Sequence, residues 1–258
     1  MGRVGQVGKS KRIAIVSILC GAVGVAAAHD QGARPVRPTP PAPVLPAPPA
    51  RPAPPALPGQ QKSKSRLFQT VDLGLLEAPD RDEWQKPDLI MDMLRIAEGS
   101  TVADLGAGSG WFSIRLARRV GPNGAVYAED IQEPMVDWLA VRARRENLPW
   151  IRSILGTATD PRLPDGIDAI LIVDTYHEVE DPITFLRNAA RSLKPQGLIG
   201  IVDFMPGGGG PGPAPDERPD PRAVIQAAGA AGLRLVKRED IPPFCFLLVF
   251  ERATTATP

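Results

Sequence analysis

The sequence predicts an α/β fold: a doubly wound, mostly parallel sheet with helices on both faces. Three observations carry this reading. Short apolar runs of strand length alternate with amphipathic runs of helix length across the second half of the chain. Val102-Ala-Asp-Leu-Gly-Ala-Gly-Ser-Gly-Trp-Phe-Ser113 passes from an apolar strand through three alternate glycines into a helix. A second apolar strand, Ala125-Val-Tyr-Ala-Glu-Asp-Ile131, ends in acid, with Asp130 twenty residues beyond Gly110.

The elements follow in order. Residues 67–78 are mixed in character. Residues 82–96, with Trp84, Leu89, Met91, Met93 and Leu94, predict one helix. The first strand is 101–104 and its helix 111–119, with Ser109 as the expected N-cap. Gly121-Pro-Asn-Gly124 is a turn, because proline and Asn-Gly both favour tight reversals. The second strand is 125–129, followed by a helix over 134–146 whose apolar face is Met135, Trp138, Leu139 and Val141. Strands are expected at 150–155, 169–173 and 198–203, with a helix at 182–193 before the last of them. Residues 206–221, rich in Gly and Pro, read as a loop, with a flap over a ligand as one use for it. A helix at 221–231 and strands at 233–239 and 244–250 complete the domain. Right-handed crossovers place all the parallel strand C-termini, and with them a ligand, along one edge.

Glycine spacing narrows the ligand. A pyrophosphate-binding turn reads G-x-G-x-x-G, because the phosphates sit on the helix N-terminus. Here the spacing is G-x-G-x-G, with Asp104 two residues ahead of Gly106. A carboxylate there suits a ligand with an ammonium group and no phosphate, which favours S-adenosylmethionine over a nicotinamide dinucleotide. Asp130 stands where a carboxylate takes two ribose hydroxyls. An ordinary βα turn with glycines for packing is the alternative reading of the turn alone.

Over residues 84–251 the chain resembles the class I S-adenosylmethionine-dependent methyltransferases. Asp104-Leu-Gly-Ala-Gly-Ser-Gly110, Val126-Tyr-Ala-Glu-Asp-Ile131, Asp168-Ala-Ile-Leu-Ile-Val-Asp174 and Leu193-Lys-Pro-Gln-Gly197 resemble four of their motifs in order. Among branches, it is most similar to the ubiquinone/menaquinone C-methyltransferase and arsenite methyltransferase type of small-molecule enzyme. The resemblance implies a seven-stranded Rossmann-like sheet whose last two strands pair at the far edge. It implies S-adenosylmethionine as cofactor and a small-molecule methyl acceptor. It places Asp104, Gly106, Ala107, Gly108 and Gly110 against the methionine half, Asp130 on the ribose and Ile131 on the adenine. Gly156-Thr157-Ala158 stands where many relatives have Gly-Asp-Ala, so Thr157 and Ala158 are expected at the adenine, with Asp160 as a substitute for the missing carboxylate. Trp84, Gln85 and Lys86 become candidates for a lid over the cofactor.

Asp174-Thr-Tyr-His-Glu-Val-Glu-Asp181 projects from the fourth strand's C-terminal end. His177, titrating near neutrality, is the candidate general base, against simple packing near the cofactor. Glu178 could orient it, Tyr176 and Asp203 could wall the acceptor pocket, and Asp174 reads as a cofactor or loop contact. His177 with Glu178, Glu180 and Asp181 does not make a metal set by spacing alone, and no metal is expected.

The formal charge of +1 shows no basic face for nucleic acid, and none is expected as a partner. Two cysteines do not make a disulfide framework or a cysteine cluster, which also argues against arsenite as the acceptor. Arg3, Lys9, Lys11 and Arg12 precede an apolar run from residue 13 to 28 ending in Ala26-Ala27-Ala28, so 1–28 reads as a signal peptide or an uncleaved membrane anchor. Either places the domain outside the cytosol; a misassigned start leaves it cytoplasmic. Residues 29–66 form a linker in which twelve of the 24 residues from 35 to 58 are proline, a composition that cannot bury a core. The methyltransferase domain is expected over 67–258. Two other readings stay beside it: an exported binding module that keeps the fold without catalysis, and a nicotinamide-dependent oxidoreductase with a variant turn.

Overall fold

The computed structural model describes residues 70–253. The expected leader, 1–28, and linker, 29–66, lie outside the described residues.

Seven strands form one sheet: β1 (Thr101–Leu105), β2 (Ala125–Asp130), β3 (Ile151–Leu155), β4 (Ile167–Val173), β5 (Leu193–Phe204), β6 (Leu233–Ile241) and β7 (Cys245–Arg252). Their order is β3-β2-β1-β4-β5-β7-β6. β7 alone is antiparallel to both its neighbours, so the expected edge pair is present. The helices are α1 (Arg81–Gln85), α2 (Pro87–Met93), α3 (Trp111–Val120), α4 (Glu133–Arg145), α5 (Pro182–Arg191) and α6 (Pro221–Ala230). The chain leaves β1 for β2 and β3 on one side, then crosses to β4 on the other. The strand order therefore reverses between β1 and β4, which opens a crevice at their C-terminal ends.

Burial on both faces explains the strand composition. Ile170, Leu171 and Ile172 of β4 are fully buried in succession, as a central parallel strand requires. Val102 packs into the core beneath α3 and α4, while Ala103 and Leu105 enter the opposite core with Phe185, Leu186 and Val224 of α5 and α6. Successive side chains thus serve different layers.

Three local expectations change. The helix predicted over 82–96 is two short helices, because Pro87 disfavours helical backbone at the residue before it; Lys86 takes a left-handed φ of 49° and Pro87 restarts the helix at its first position. β5 begins at Leu193 rather than at 198. Its pairing with β4 steps from Ile167↔Leu193 to Ala169↔Leu198, so the Lys-Pro-Gln-Gly turn is absorbed as an irregularity inside the strand. The N-cap of α3 is Gly110, not Ser109; the Ser109 hydroxyl instead accepts from the Trp111 amide at 3.3 Å.

The loop 205–220 is knitted by one side chain. Arg218, largely buried, donates to the carbonyls of Met205 (3.2 Å), Gly209 (2.9 Å), Pro211 (3.2 Å) and Pro213 (3.0 Å), and its guanidinium lies 5.2 Å from the centre of the Phe204 ring. Gly210 and Gly212 have φ of 76° and 98° and lie against Phe244 and Phe204, where a Cβ would clash. Removing the guanidinium strands four carbonyls, so Arg218→Ala should cost about 2 kcal/mol of stability. It should also speed deuterium exchange of the amides of 206–220. Arg218→Lys should not restore slow exchange, since one ammonium cannot reach four carbonyls.

Candidate functional site

The crevice at the ends of β1, β2 and β4 holds a cavity of about 390 Å³. Its floor is the glycine turn. Gly106 has φ 68°, and a Cβ there would fall 2.2 Å from the Thr175 side chain on the far side of the crevice. The single proton of the Thr175 hydroxyl is shared between the carbonyls of Val173 (3.0 Å) and Gly106 (3.3 Å), tying the turn to the end of β4. Gly108 has φ 52° and faces Leu76, which closes the cavity from the N-terminal side. Gly106, Ala107 and Gly108 all line the cavity. Gly110 does not: its φ of 83° and a would-be Cβ 2.7 Å from Leu139 tie it to close packing of α3 on α4.

Six carboxyl side chains line the cavity: Asp104, Glu129, Asp130, Asp174, Glu178 and Glu180. Asp104 is buried at the end of β1, and burial pushes its carboxyl up to about 6 although the Ser113 hydroxyl donates to it at 2.5 Å. Asp130 accepts from the Gly108 amide at 3.1 Å and the Gln132 amide at 3.0 Å; burial still raises its pKa. Glu129 is almost wholly buried, and burial, reinforced by Asp130, pushes it up to about 8. Its Oε2 accepts weakly from the Gly106 amide at 3.4 Å. Asp174, in left-handed backbone at φ 52°, is raised by burial to about 6 against the opposing pull of Arg81.

Arg81 is the one guanidinium on the cavity wall. It meets Asp174 at 2.8 Å, donates to the Leu76 carbonyl at 2.8 Å and lies 4.4 Å from the centre of the Trp111 ring. Sequence reasoning missed both Arg81 and Glu129. Nothing in spacing marks Arg81, which reaches the site from α1. Glu129 carried a signal: an acid inside a strand whose other inward positions are apolar. The lid candidates are elsewhere. Trp84 packs on Phe204 and Phe244 at 5.9 Å each, and Gln85 is fully buried; Leu76 and Arg81 reach the cavity instead.

Ile131, Thr157 and Ala158 line the end of the cavity beyond β2 and β3. The Thr157 hydroxyl donates to the Asp160 carbonyl (3.1 Å) and accepts from the Asp160 amide (3.0 Å), so it closes its own turn. Asp160 does not substitute: its carboxylate accepts from the Arg162 amide at 2.8 Å and lies off the cavity wall.

His177 sits in the short turn Tyr176–Glu178 after β4. Its backbone amide donates to Asp203 at 3.1 Å, and its Nδ1 lies 3.1 Å from the same buried carboxylate. Asp203, at the end of β5, is thus the orienting partner expected of Glu178. Glu178 itself lines the cavity, whereas the His177 ring does not. Burial lowers the imidazole pKa, but the hydrogen bond and charge of Asp203 outweigh it and the net shift is upward. Tyr176 is buried in the core with Phe185. Asp181 caps α5 by accepting from the Thr184 amide at 3.1 Å. Among the described residues no group of three or more His, Cys, Asp or Glu is arranged to hold a metal.

Residues 103–201 match the family described as a methyltransferase domain. The chain is 32% identical over 118 residues to nocamycin O-methyltransferase of Saccharothrix syringae, covering 45% of this chain and 42% of that one. It is 30% identical over 122 residues to demethylmenaquinone methyltransferase of Listeria welshimeri, covering 47% and 51%. The match therefore spans about half the length of these curated relatives. The fold superposes on a SAM-dependent methyltransferase from Aquifex aeolicus with TM-score 0.68 and 29% identity, over 71% of this chain and 98% of that one. The family match over 103–201, these relatives and the shared fold together support a class I S-adenosylmethionine-dependent methyltransferase.

Proposed function

We propose that this chain transfers the methyl group of S-adenosylmethionine to a small molecule bearing an oxygen, nitrogen or carbon nucleophile. The observation that carries the reading is charge. Six carboxyl groups face one cavity, and its one guanidinium already pairs with Asp174. Two unit charges 4 Å apart interact by about 4 kcal/mol near a protein surface. A pyrophosphate would meet that penalty from each ionised carboxylate, whereas a ligand with a sulfonium and an ammonium gains from them; Glu129, raised to about 8, adds its charge only in alkaline solution. The named substrates of two relatives, nocamycin and demethylmenaquinone, agree with a small acceptor.

The residues fit the cofactor. Asp130 spends one lone pair of each oxygen on the turn amides and keeps others for two ribose hydroxyls. Ile131 and Ala158 offer apolar surface for a base. Asp104, the backbone of Gly106, Ala107 and Gly108, and Asp174 with Arg81 surround the part of the cavity left for an amino-acid moiety. Bound there, S-adenosylmethionine supplies a methyl group on a sulfonium, whose departing thioether is neutral. The chain's task is then to hold the acceptor in line and remove its proton. His177 serves as the base in this reading: Asp203 holds Nδ1 and leaves Nε2 for the acceptor's proton.

Calorimetry on the full chain should show micromolar binding of S-adenosylmethionine, weakened about tenfold or more by Asp130→Ala, the loss of charge-assisted hydrogen bonds. Well-folded protein that binds neither the cofactor nor its demethylated product would overturn the reading. Binding without turnover across an acceptor panel would favour the non-catalytic module.

A neutral imidazole is the working base, so the rate should rise with pH to a limb above the ordinary histidine range, as the raised pKa requires. Asp203→Asn removes the group that raises it and should move the limb to lower pH while lowering kcat. His177→Gln should abolish the limb with cofactor affinity intact. A limb unmoved in His177→Gln excludes the histidine as the base.

A further inference from the structure

Glu129 is left unexplained by the fold. It is 1% exposed, and its register partners on β1 and β3 are Leu105 and Ile154. Asp104, Asp130 and Asp160 are the charged groups that act on it most, and all of them repel its ionised form. Its Oε2 has only the long contact to the Gly106 amide, and its Oε1 has no hydrogen-bond partner. A buried carboxyl oxygen without a partner destabilises a fold, and an apolar side chain of similar size would do better there. Yet the side chain is tightly placed. A Cβ on Gly156 would fall 1.8 Å from Oε1, so only glycine at 156 lets the carboxyl lie where it does, on the cavity wall.

We propose that Glu129 reads the nucleoside half of the cofactor, with Oε1 accepting a hydrogen bond from a donor on the base or the sugar. The inference rests on the function proposed above. Position selects this half: Glu129 adjoins Asp130 and packs on Gly156, next to the cavity-lining Thr157 and Ala158, whereas Arg81, Asp104 and Asp174 serve the β1 and β4 side. Within 157–160 the Thr157 hydroxyl and the Asp160 carboxylate bond within their own loop, and Thr159 lies off the cavity wall. Adenosine presents two kinds of donor, the exocyclic amine and the ribose hydroxyls, and Glu129 serves one of them.

The test uses the full chain at pH 8.5, with calorimetry and thermal melting of the wild type, Glu129→Gln and Glu129→Leu. Glutamine keeps the volume and the Gly106 contact but presents an amino group where Oε1 stands. The probes are S-adenosylhomocysteine, its inosine analogue, which lacks the amine, and its 2′-deoxy analogue. Both variants should bind S-adenosylhomocysteine about tenfold or more weakly, the loss of one hydrogen bond to a charged group. The wild-type preference over one analogue should collapse in Glu129→Gln; the inosine analogue would identify the amine, the deoxy analogue the sugar. The ligand-free variants should melt at or above the wild-type temperature, because a buried carboxyl without a counter-charge has gone. Binding by Glu129→Gln within about twofold of wild type overturns the proposal, as does binding lost together with a lowered melting temperature in both variants, the mark of a structural role. Wild-type protein that binds no probe overturns the proposed function and this inference together; wild-type binding with an indifferent Glu129→Gln overturns this inference alone.

Discussion

Asp104 and Glu129 near the ends of β1 and β2, and Asp174 just after β4, hold their carboxyl groups largely out of water, and the surrounding structure is arranged around that burden. Desolvation pushes all three upward, to about 6, about 8 and about 6. Each has a different relief. Ser113 of α3 donates to Asp104, which also fastens the helix to the strand it follows. Arg81 serves Asp174 from outside the sheet. Glu129 has only one weak amide contact. Asp130, the fourth acid, takes the Gly108 and Gln132 amides, so the glycine turn acts as a set of donors as well as a floor. Positive φ at Gly106 and Gly108 is what leaves room for that arrangement.

Arg81 extends the same constraint to the N-terminal elements. Trp111, the first residue of α3, is flanked by Arg81 at 4.4 Å and Arg115 at 3.5 Å, and Arg115 in turn bonds Asp82 of α1. The Leu76 carbonyl accepts from Arg81, and the neighbouring Glu77 pairs with Arg142 of α4. The segment ahead of the sheet is thereby held against the cavity by three ion pairs, of which Arg81–Asp174 is the one that serves a carboxyl of the site. Wall and electrostatics are one structure here, which is why the elements before β1 cannot be treated as a detachable cover.

Legibility in the sequence followed period and local chemistry. The alternation of β and α elements, the glycine turn and the position of Asp130 were readable, because each depends on residues close together in the chain, whereas the edge pair was expected only from the family resemblance. What was missed depends on distant pairs. Asp203 was placed near the acceptor pocket, but its bond to His177 spans 26 residues and the Arg81–Asp174 pair spans 93. Thr157 was readable as a departure, but not that its hydroxyl would close on Asp160. Gly110 was misassigned for a related reason: glycines in one motif look alike, and only the approach of Leu139 separates a packing glycine from a ligand-facing one. The broken helix at Pro87 was a local signal passed over because the apolar period continued through it.

The division between shared and private parts of the chain follows the chemistry. The family match runs from 103 to 201 and takes in the glycine turn, Glu129, Asp130, Ala158, Asp174 and His177. Leu76 and Arg81 lie before it; Asp203, Phe204, the Arg218-bound loop and the β6–β7 pair lie after it. A parallel-sheet edge is fixed by backbone register and must keep its form wherever the same nucleoside is held. The elements outside the match are under no such restriction. They are joined to each other by the β6–β7 ladder and the Met205–Phe244 backbone bond, and by side chains, through Trp84 against Phe204 and Phe244 and through Arg218 over Phe204. None of Trp84, Phe204, Phe244 and Arg218 lines the cavity, so these contacts build the structure beside the site rather than its wall. Asp203, which precedes Phe204 in β5 and bonds His177 after β4, ties that cluster to the strand ends.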